Sequence, residues 1–317
     1  MSETYQDLLA ELAQRDPRLV VLTAENRAAI RELPARLGPR FIDVGICEQT
    51  LVGMAAGLAL RGRVPVVHAL ASFLVLRAYE FIRTDVGVGG LPVKLVGYVP
   101  GLLSTANGPT HQAIEDVALL RTIPGMQIFC PADRAQLLAG LPAVLASPRP
   151  CYLRYCDLAP TVEHPAGLAL GGAEVLAEGS EITLLSYGLL VGQAAQAQRL
   201  LAQAGLRVGL LSLPWLEPLD EAALLAVAAR SALLVVIEDH FARGGLYTML
   251  AELLLREGRS AQVLSIALDQ RWFRPATLDA VLEHERLSGA HLAERVQRAW
   301  QARGALAPSA AGAASRR

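Results

Sequence analysis

Short apolar runs alternate with stretches of helical period along almost the whole chain of 317 residues. In the first half, the strands are predicted at 19–23, 41–45, 64–68, 92–98, 126–130 and 151–155. The helices between them are predicted at 3–14, 48–61, 74–86, 113–121 and 134–146. Continuously apolar strands separated by helices are typical of a parallel sheet that helices cover on both faces.

A Pro- and Gly-rich segment at 157–173 interrupts this alternation and is predicted to be a linker. A second series follows, with strands predicted at 181–187, 207–213, 233–238 and 262–267 and helices at 191–204, 219–230, 245–257, 276–284 and 289–303. The sequence therefore predicts an α/β protein of two domains, 1–156 and 174–303, and a disordered tail at 304–317. Each domain is expected to be a mainly parallel sheet with helices on both faces, which binds ligands at the carboxyl ends of its strands.

Composition removes several functional classes. The 29 basic and 30 acidic residues give a net charge of -1, which argues against a nucleic-acid partner. The single lysine, Lys94, lies in an apolar run and not in a Gly-rich phosphate loop. Four cysteines without a CxxC pair argue against a zinc knuckle and for a reduced compartment. With no signal-peptide pattern and no apolar run of about 18 residues, we expect a cytoplasmic protein without membrane contact.

Two segments carry polar residues where strands are predicted to end. Glu48 lies between a strand and a helix in FIDVGICEQT, where a carboxylate either serves a site or simply complements the helix dipole. The segment TANGPTHQAIED places Asn107 and His111 at the same edge of the predicted sheet. An imidazole there is able to donate to a phosphate or hydroxyl or to carry protons, and the alternative is an ordinary capping loop.

Two further features have ordinary structural alternatives. Phe73, Leu76 and Tyr79 form an apolar stripe at helical spacing, which is more often part of a core than of a ligand pocket. Arg154 ends the predicted strand 151–155, where a guanidinium is able to hold an anionic group. The alternative for Arg154 is an ion pair at the boundary between the domains.

Taken together and in this order, the segments GICEQ, SFLVLRAYEFIRTDV, GPTHQAIEDVALLRTIPGM, PAD and YLRY resemble the transketolase family. The resemblance covers most of residues 1–300 and is to the family's C-terminal half, a pyrimidine-binding domain followed by the C-terminal domain. It is greatest to the separately encoded C-terminal subunits of split transketolases. It implies thiamine diphosphate as the cofactor and the transfer of a two-carbon ketol unit from a ketose, or ketose phosphate, to an aldose.

The resemblance also implies roles around the cofactor. Glu48 matches the glutamate that hydrogen-bonds the aminopyrimidine ring nitrogen, favours the imino tautomer and is needed for catalysis. Phe73 and Tyr79 match aromatic residues of the pyrimidine pocket. Leu76 stands where many transketolases carry another phenylalanine, so we expect these four residues to contact the cofactor.

For the substrate, His111 matches a histidine with a catalytic and substrate-binding role, and Arg154 matches a phosphate-binding arginine. Asn107 stands where transketolases usually carry an aspartate that recognises a substrate hydroxyl. An amide donates and accepts hydrogen bonds but carries no charge, so an unusual sugar substrate is expected.

The Gly-Asp-Gly motif of the family's diphosphate and magnesium site does not occur in this sequence. No metal ligand is therefore expected on this chain, and magnesium and the diphosphate are expected to be held by an N-terminal transketolase subunit. We expect the chain to be inactive alone and to form a heterotetramer with two copies of each subunit.

Three alternatives stay open. The beta subunit of a 2-oxo acid dehydrogenase has a similar length and domain pair, although its usual H-S-Q stands against THQ here. Acyloin synthesis of the deoxyxylulose phosphate synthase type is another. A non-catalytic scaffold subunit is the third.

Overall fold

The structure, a computed structural model, describes residues 4–104, 107–165 and 167–306. Its strands are β1 Leu19–Thr23, β2 Phe41–Asp43, β3 Val64–Leu70, β4 Lys94–Tyr98, β5 Gln127–Phe129, β6 Cys151–Arg154, β7 Glu174–Ala177, β8 Ile182–Ser186, β9 Val208–Ser212, β10 Trp215–Glu217, β11 Leu233–Phe241 and β12 Val263–Leu268. Its helices are α1 Tyr5–Arg15, α2 Leu33–Leu37, α3 Glu48–Leu60, α4 Tyr79–Phe81, α5 Asp116–Leu120, α6 Arg134–Ala146, α7 Leu190–Gln203, α8 Glu221–Arg230, α9 Leu246–Arg256, α10 Leu278–His284 and α11 Gly289–Leu306.

The first sheet has seven strands in the order β10-β5-β6-β4-β3-β1-β2. All of its pairs are parallel except β10 with β5. Its central strands are apolar and buried along their length, because helices cover both faces. The predicted α/β fold with two mainly parallel sheets is confirmed.

The second sheet has five strands in the order β12-β11-β8-β9-β7, and only the edge strand β7 runs antiparallel. The sequence did not predict β7 or β10, since runs of three or four residues are too short to show a period. β10 comes from the second half of the chain but pairs with β5 of the first sheet. The chain between Cys156 and β7 forms no helix or strand in the residues described.

Several predicted helix boundaries differ from the structure. The helix predicted at 74–86 is instead the short α4 between π-helical stretches at Phe73–Arg77 and Ile82–Gly87. Such wide turns are frequent at functional sites, where they change the direction of side chains. Helix α11 continues through Leu306, and the remainder of the predicted tail, 307–317, lies outside the described residues. No helix in the described ranges is long and apolar enough to cross a membrane.

A buried ion cluster joins the two domains. Arg154 at the end of β6 donates from Nε to Asp116 Oδ2 at 3.0 Å and from Nη1 to Asp239 Oδ1 of β11 at 2.6 Å. Tyr152 also donates to Asp116 Oδ2, at 2.7 Å. The arginine and both aspartates are at most 2% exposed. Burial disfavours the guanidinium charge, but the two carboxylates hold the pKa of Arg154 well above its ordinary value.

The linker is fixed by a second polar cluster. Its His164 donates from Nδ1 to Glu174 Oε2 of β7 at 2.8 Å and from Nε2 to Asp133 Oδ2 at 2.9 Å. Asp133 is also the N-cap of α6, so the imidazole connects the two halves of the chain. Burial opposes the imidazolium, but the hydrogen bonds to Asp133 and Glu174 outweigh it and raise the pKa of His164 to about 9.

Replacing Arg154 with methionine is expected to lower the free energy of unfolding by about 3–5 kcal/mol, because it leaves two buried carboxylates without a counter-ion. Chemical denaturation measures the change. The matched control is Arg207→Met, which removes an ion pair from a side chain that is 72% exposed and is expected to cost under about 1 kcal/mol. Equal losses in the two variants would contradict the assigned role of the buried cluster.

The His164 cluster predicts a pH dependence of stability. The pKa of the His164 imidazole is about 9 in the folded protein and about 6.5 in the unfolded chain. Between these two pH values the folded state therefore binds more protons than the unfolded state. The stabilisation is complete below about pH 6.5 and is lost as the pH rises toward 9. Melting temperatures of the wild type and His164→Gln should therefore converge over this interval. A constant difference from pH 6 to pH 9.5 would contradict the prediction.

Candidate active site

The residues predicted to carry chemistry lie at one edge of the first sheet. Glu48 follows β2, Phe73 follows β3 and His111 lies in the connection after β4. Because these strands are parallel, their carboxyl ends meet at the same edge. The fold therefore brings together segments that are far apart in the sequence.

Glu48 begins helix α3 and is buried. The turn before the helix needs a glycine, since Gly45 has φ 75°, and Asp43 Oδ1 accepts from the Gly45 N–H at 3.0 Å. The position at the first turn lets the helix dipole stabilise the carboxylate. Only 3% of the Glu48 side chain is exposed, and Arg77 Nη1 donates to its Oε2 at 2.7 Å.

Phe73, His111 and Arg77 form one cluster with this carboxylate. The rings of Phe73 and His111 meet edge to face with centroids 4.8 Å apart. The guanidinium of Arg77 lies over the Phe73 ring, 4.4 Å from its centroid. His111 Nδ1 shares a hydrogen bond of 2.8 Å with Thr110 Oγ1. A buried carboxylate, an aromatic face and an imidazole thus lie together at the carboxyl edge of the first sheet.

Three other predicted residues lie apart from this contact. Asn107 is exposed on the loop that carries His111, and Thr110 Oγ1 donates to its backbone carbonyl at 3.4 Å. Leu76 is 44% exposed. The Tyr79 hydroxyl donates to the Leu119 carbonyl at 3.2 Å, which directs it toward α5.

Arg154 also lies at this edge, but its guanidinium is buried among Asp116, Asp239 and two backbone carbonyls. The structure therefore gives it the alternative role considered from the sequence, an ion pair at the domain boundary. With 2% exposure it offers no surface to a phosphate, and we do not propose it as a substrate ligand.

The sequence analysis missed several residues of this edge. Glu25 after β1 and Val99 after β4 have positive φ values of 63° and 46°. Strain of this kind clusters at functional sites, and its only sequence signal is the position at a strand end. The side chains of Ser72 and Gln112, which adjoin Phe73 and His111 in sequence, are buried with polar atoms that have no hydrogen-bond partner among the residues the structure describes. Each buried polar atom of this kind lowers the stability of the fold by about 1–3 kcal/mol. These groups therefore remain available for further hydrogen bonds.

The acidic pair of the second sheet is structural. Glu238 accepts from the Leu246 and Tyr247 backbone amides and so caps α9, and burial raises its pKa to about 7. Asp239 belongs to the ion cluster with Arg154. Among the residues described, no group of three or more His, Cys, Asp or Glu side chains is placed to hold a metal ion.

Comparison with protein families gives two matches in the expected order. Residues 1–159 match the transketolase pyrimidine-binding domain, and residues 171–292 match the transketolase C-terminal domain. The chain is 38% identical over 259 residues to the 6-deoxy-6-sulfo-D-fructose transketolase subunit SqwH of Clostridium sp., covering 80% of each chain. It is 34% identical to a 1-deoxy-D-xylulose-5-phosphate synthase of Synechococcus sp. over 95% of this chain and 48% of that protein. The chain thus spans about half the length of that relative.

Solved structures agree with this assignment. A split-gene transketolase, described as an inactive beta4 tetramer, superposes with a TM-score of 0.85 and 32% identity over 94% of this chain and 97% of that one. The transketolase of Leishmania mexicana shares the fold, with a TM-score of 0.77 and 19% identity over 93% of this chain and 44% of that one. From both domains and from these relatives, we conclude that the chain belongs to the transketolase family.

Proposed function

We propose that the chain is the C-terminal subunit of a split, thiamine-diphosphate-dependent transketolase. It transfers a two-carbon ketol unit from a ketose, or its phosphate, to an aldose and works only with an N-terminal subunit. The observation that carries this proposal is the convergence of Glu48, Phe73 and His111 at the carboxyl edge of the first sheet. The resemblance to the family assigns all three residues to the cofactor and substrate site.

The similarity to a transketolase subunit and to a split-gene transketolase supports the split arrangement. The sequence covers 97% of a split-gene subunit and 80% of SqwH, but less than half of a Leishmania transketolase chain. The diphosphate and magnesium are then held by the partner, because the Gly-Asp-Gly motif of the family's diphosphate site does not occur in this sequence. We further propose a heterotetramer of two copies of each subunit.

The residues present fit an aminopyrimidine. Glu48 supplies a buried carboxylate for a ring nitrogen, and Phe73 supplies an aromatic face at the same place. The amide of Gln112, which has no hydrogen-bond partner within 4–104, 107–165 and 167–306, offers further donors and acceptors next to His111 in sequence. When bound, thiamine diphosphate supplies a carbon nucleophile that attacks the ketose carbonyl.

The remaining roles belong to this chain's own residues. Glu48 holds or releases the proton of the bound ring nitrogen, and its burial excludes water from that exchange. His111 donates to a substrate oxygen, with its ring held by the edge contact to Phe73 and by Thr110 Oγ1. Asn107, exposed on the same loop, is proposed to contact a substrate hydroxyl.

A second candidate is acyloin synthesis from a 2-oxo acid. The deoxyxylulose phosphate synthase relative, 34% identical over 95% of this chain, favours it. The donors separate the two reactions, because a 2-oxo acid releases carbon dioxide and a ketose does not.

Glu48→Gln is expected to lower the ketol-transfer rate by about 100-fold or more, because the amide cannot exchange a proton with the ring nitrogen. The assay mixes the chain with candidate N-terminal subunits, thiamine diphosphate and magnesium and follows a ketose phosphate donor. Glu80→Gln, which changes an exposed carboxylate on α4, is the control and should leave the rate unchanged. Carbon dioxide release from pyruvate in place of ketol transfer would favour the second candidate, and no turnover in any assembled mixture would favour a scaffold.

His111→Gln is expected to lower kcat/KM by about 10- to 100-fold, the loss typical of one hydrogen bond to a charged or reacting group. The apparent affinity for thiamine diphosphate should change little, since His111 is assigned to the substrate. His284→Gln, with an imidazole side chain that is 82% exposed, serves as the control. An unchanged kcat/KM would remove His111 from the site.

A further inference from the structure

Arg77 occupies both contacts that the proposed function assigns to the aminopyrimidine. Its Nη1 donates to Glu48 Oε2 at 2.7 Å, and its guanidinium carbon lies 4.4 Å from the centroid of the Phe73 ring. Arg77 lies within the helix that the sequence predicts at 74–86. In the structure, Phe73 and Arg77 begin and end one π-helical turn, and the guanidinium lies between the Phe73 ring and the Glu48 carboxylate.

The chemistry of the two groups is similar. A guanidinium is planar, carries N–H donors in its plane and stacks on aromatic faces. An aminopyrimidine is likewise a planar ring that presents nitrogen groups in its plane and an aromatic face. One carboxylate oxygen and one phenylalanine face cannot serve both at once, so the arginine and the ring compete.

Burial explains why such an arginine is present. Glu48 is 2% exposed, and a buried carboxylate without a partner is strongly destabilising. The Arg77 side chain is 41% exposed and therefore has solvent to move into. The pair thus stabilises the Glu48 carboxylate when no cofactor ring is bound, and it is able to open when the ring binds.

We propose that Arg77 is a positioning residue whose guanidinium occupies the contacts of the aminopyrimidine with Glu48 and Phe73 when the ring is not bound. By competing for these contacts, Arg77 sets the affinity for thiamine diphosphate. The proposal rests on the proposed function, since it needs the cofactor ring to bind Glu48. Binding of the cofactor then requires the guanidinium to leave both groups.

The test compares the wild type with Arg77→Met and with the control variant Arg83→Met. Arg83 is an exposed residue of the next π-helical stretch and has no ion pair among the described residues. In the assembled complex, Arg77→Met is expected to bind thiamine diphosphate about 3- to 10-fold more tightly, because no contact has to be broken first. Arg83→Met should equal the wild type. A merely structural role for Arg77 predicts the opposite change, a weaker affinity.

A second readout uses the full chain alone. Arg77→Met should lower the melting temperature of the chain, because it leaves the Glu48 carboxylate unpaired. In a Glu48→Gln background the same Arg77→Met change should lower the melting temperature much less, because that carboxylate is no longer present. Equal or weaker cofactor binding by Arg77→Met, or melting temperatures that simply add, would overturn the proposal. If no complex, including the wild type, binds thiamine diphosphate, the proposed function itself fails, and the melting cycle still shows whether Arg77 and Glu48 are coupled.

Discussion

The buried contact of Arg154 with Asp116 and Asp239 is the interaction on which the arrangement of the site depends. It joins the end of β6 to the start of α5 and to β11, so both sheets meet at one guanidinium. The loop after β4 is built around it: Gly101 has φ 55°, and a side chain there would lie 1.8 Å from Asp239 Oδ2. The Leu102 N–H donates to the same carboxylate oxygen at 3.4 Å. Only a glycine meets both the backbone geometry and the close approach at this point.

The second domain therefore positions His111 although it carries no residue of the candidate site. Pro275 packs against Gly108, where an added side chain would approach it to 2.9 Å. The backbone N–H of Phe241 donates to the Ile114 carbonyl at 3.0 Å. The segment that carries His111 thus contacts the second domain at Gly108 and at Ile114.

The sequence predicted the features that are encoded locally and repeated. Strand after strand of continuous apolar residues determined the two sheets, and a carboxylate at a strand end marked Glu48. The partners of Arg154 could not be predicted, because Asp116 and Asp239 lie 38 and 85 residues away and no local pattern selects them. Arg77 was missed for a different reason: the regular helical period hides the π-helical turn that brings its charge onto Glu48.

The strand β10 gives the chain a particular order of assembly. Until β10 pairs with it, β5 (Gln127–Phe129) is an edge strand of the first sheet. The first residue of β10, Trp215, is synthesised 86 residues after Phe129 (215 − 129). At a translation rate of about 5–20 residues per second, this edge stays open for roughly 4–17 s on the ribosome. During that interval Phe129, which later packs against Trp215 with centroids 4.6 Å apart, lacks this cover. Because β10 from the second half of the chain pairs with β5, exchanging the first domain between relatives would have to carry β10 with it.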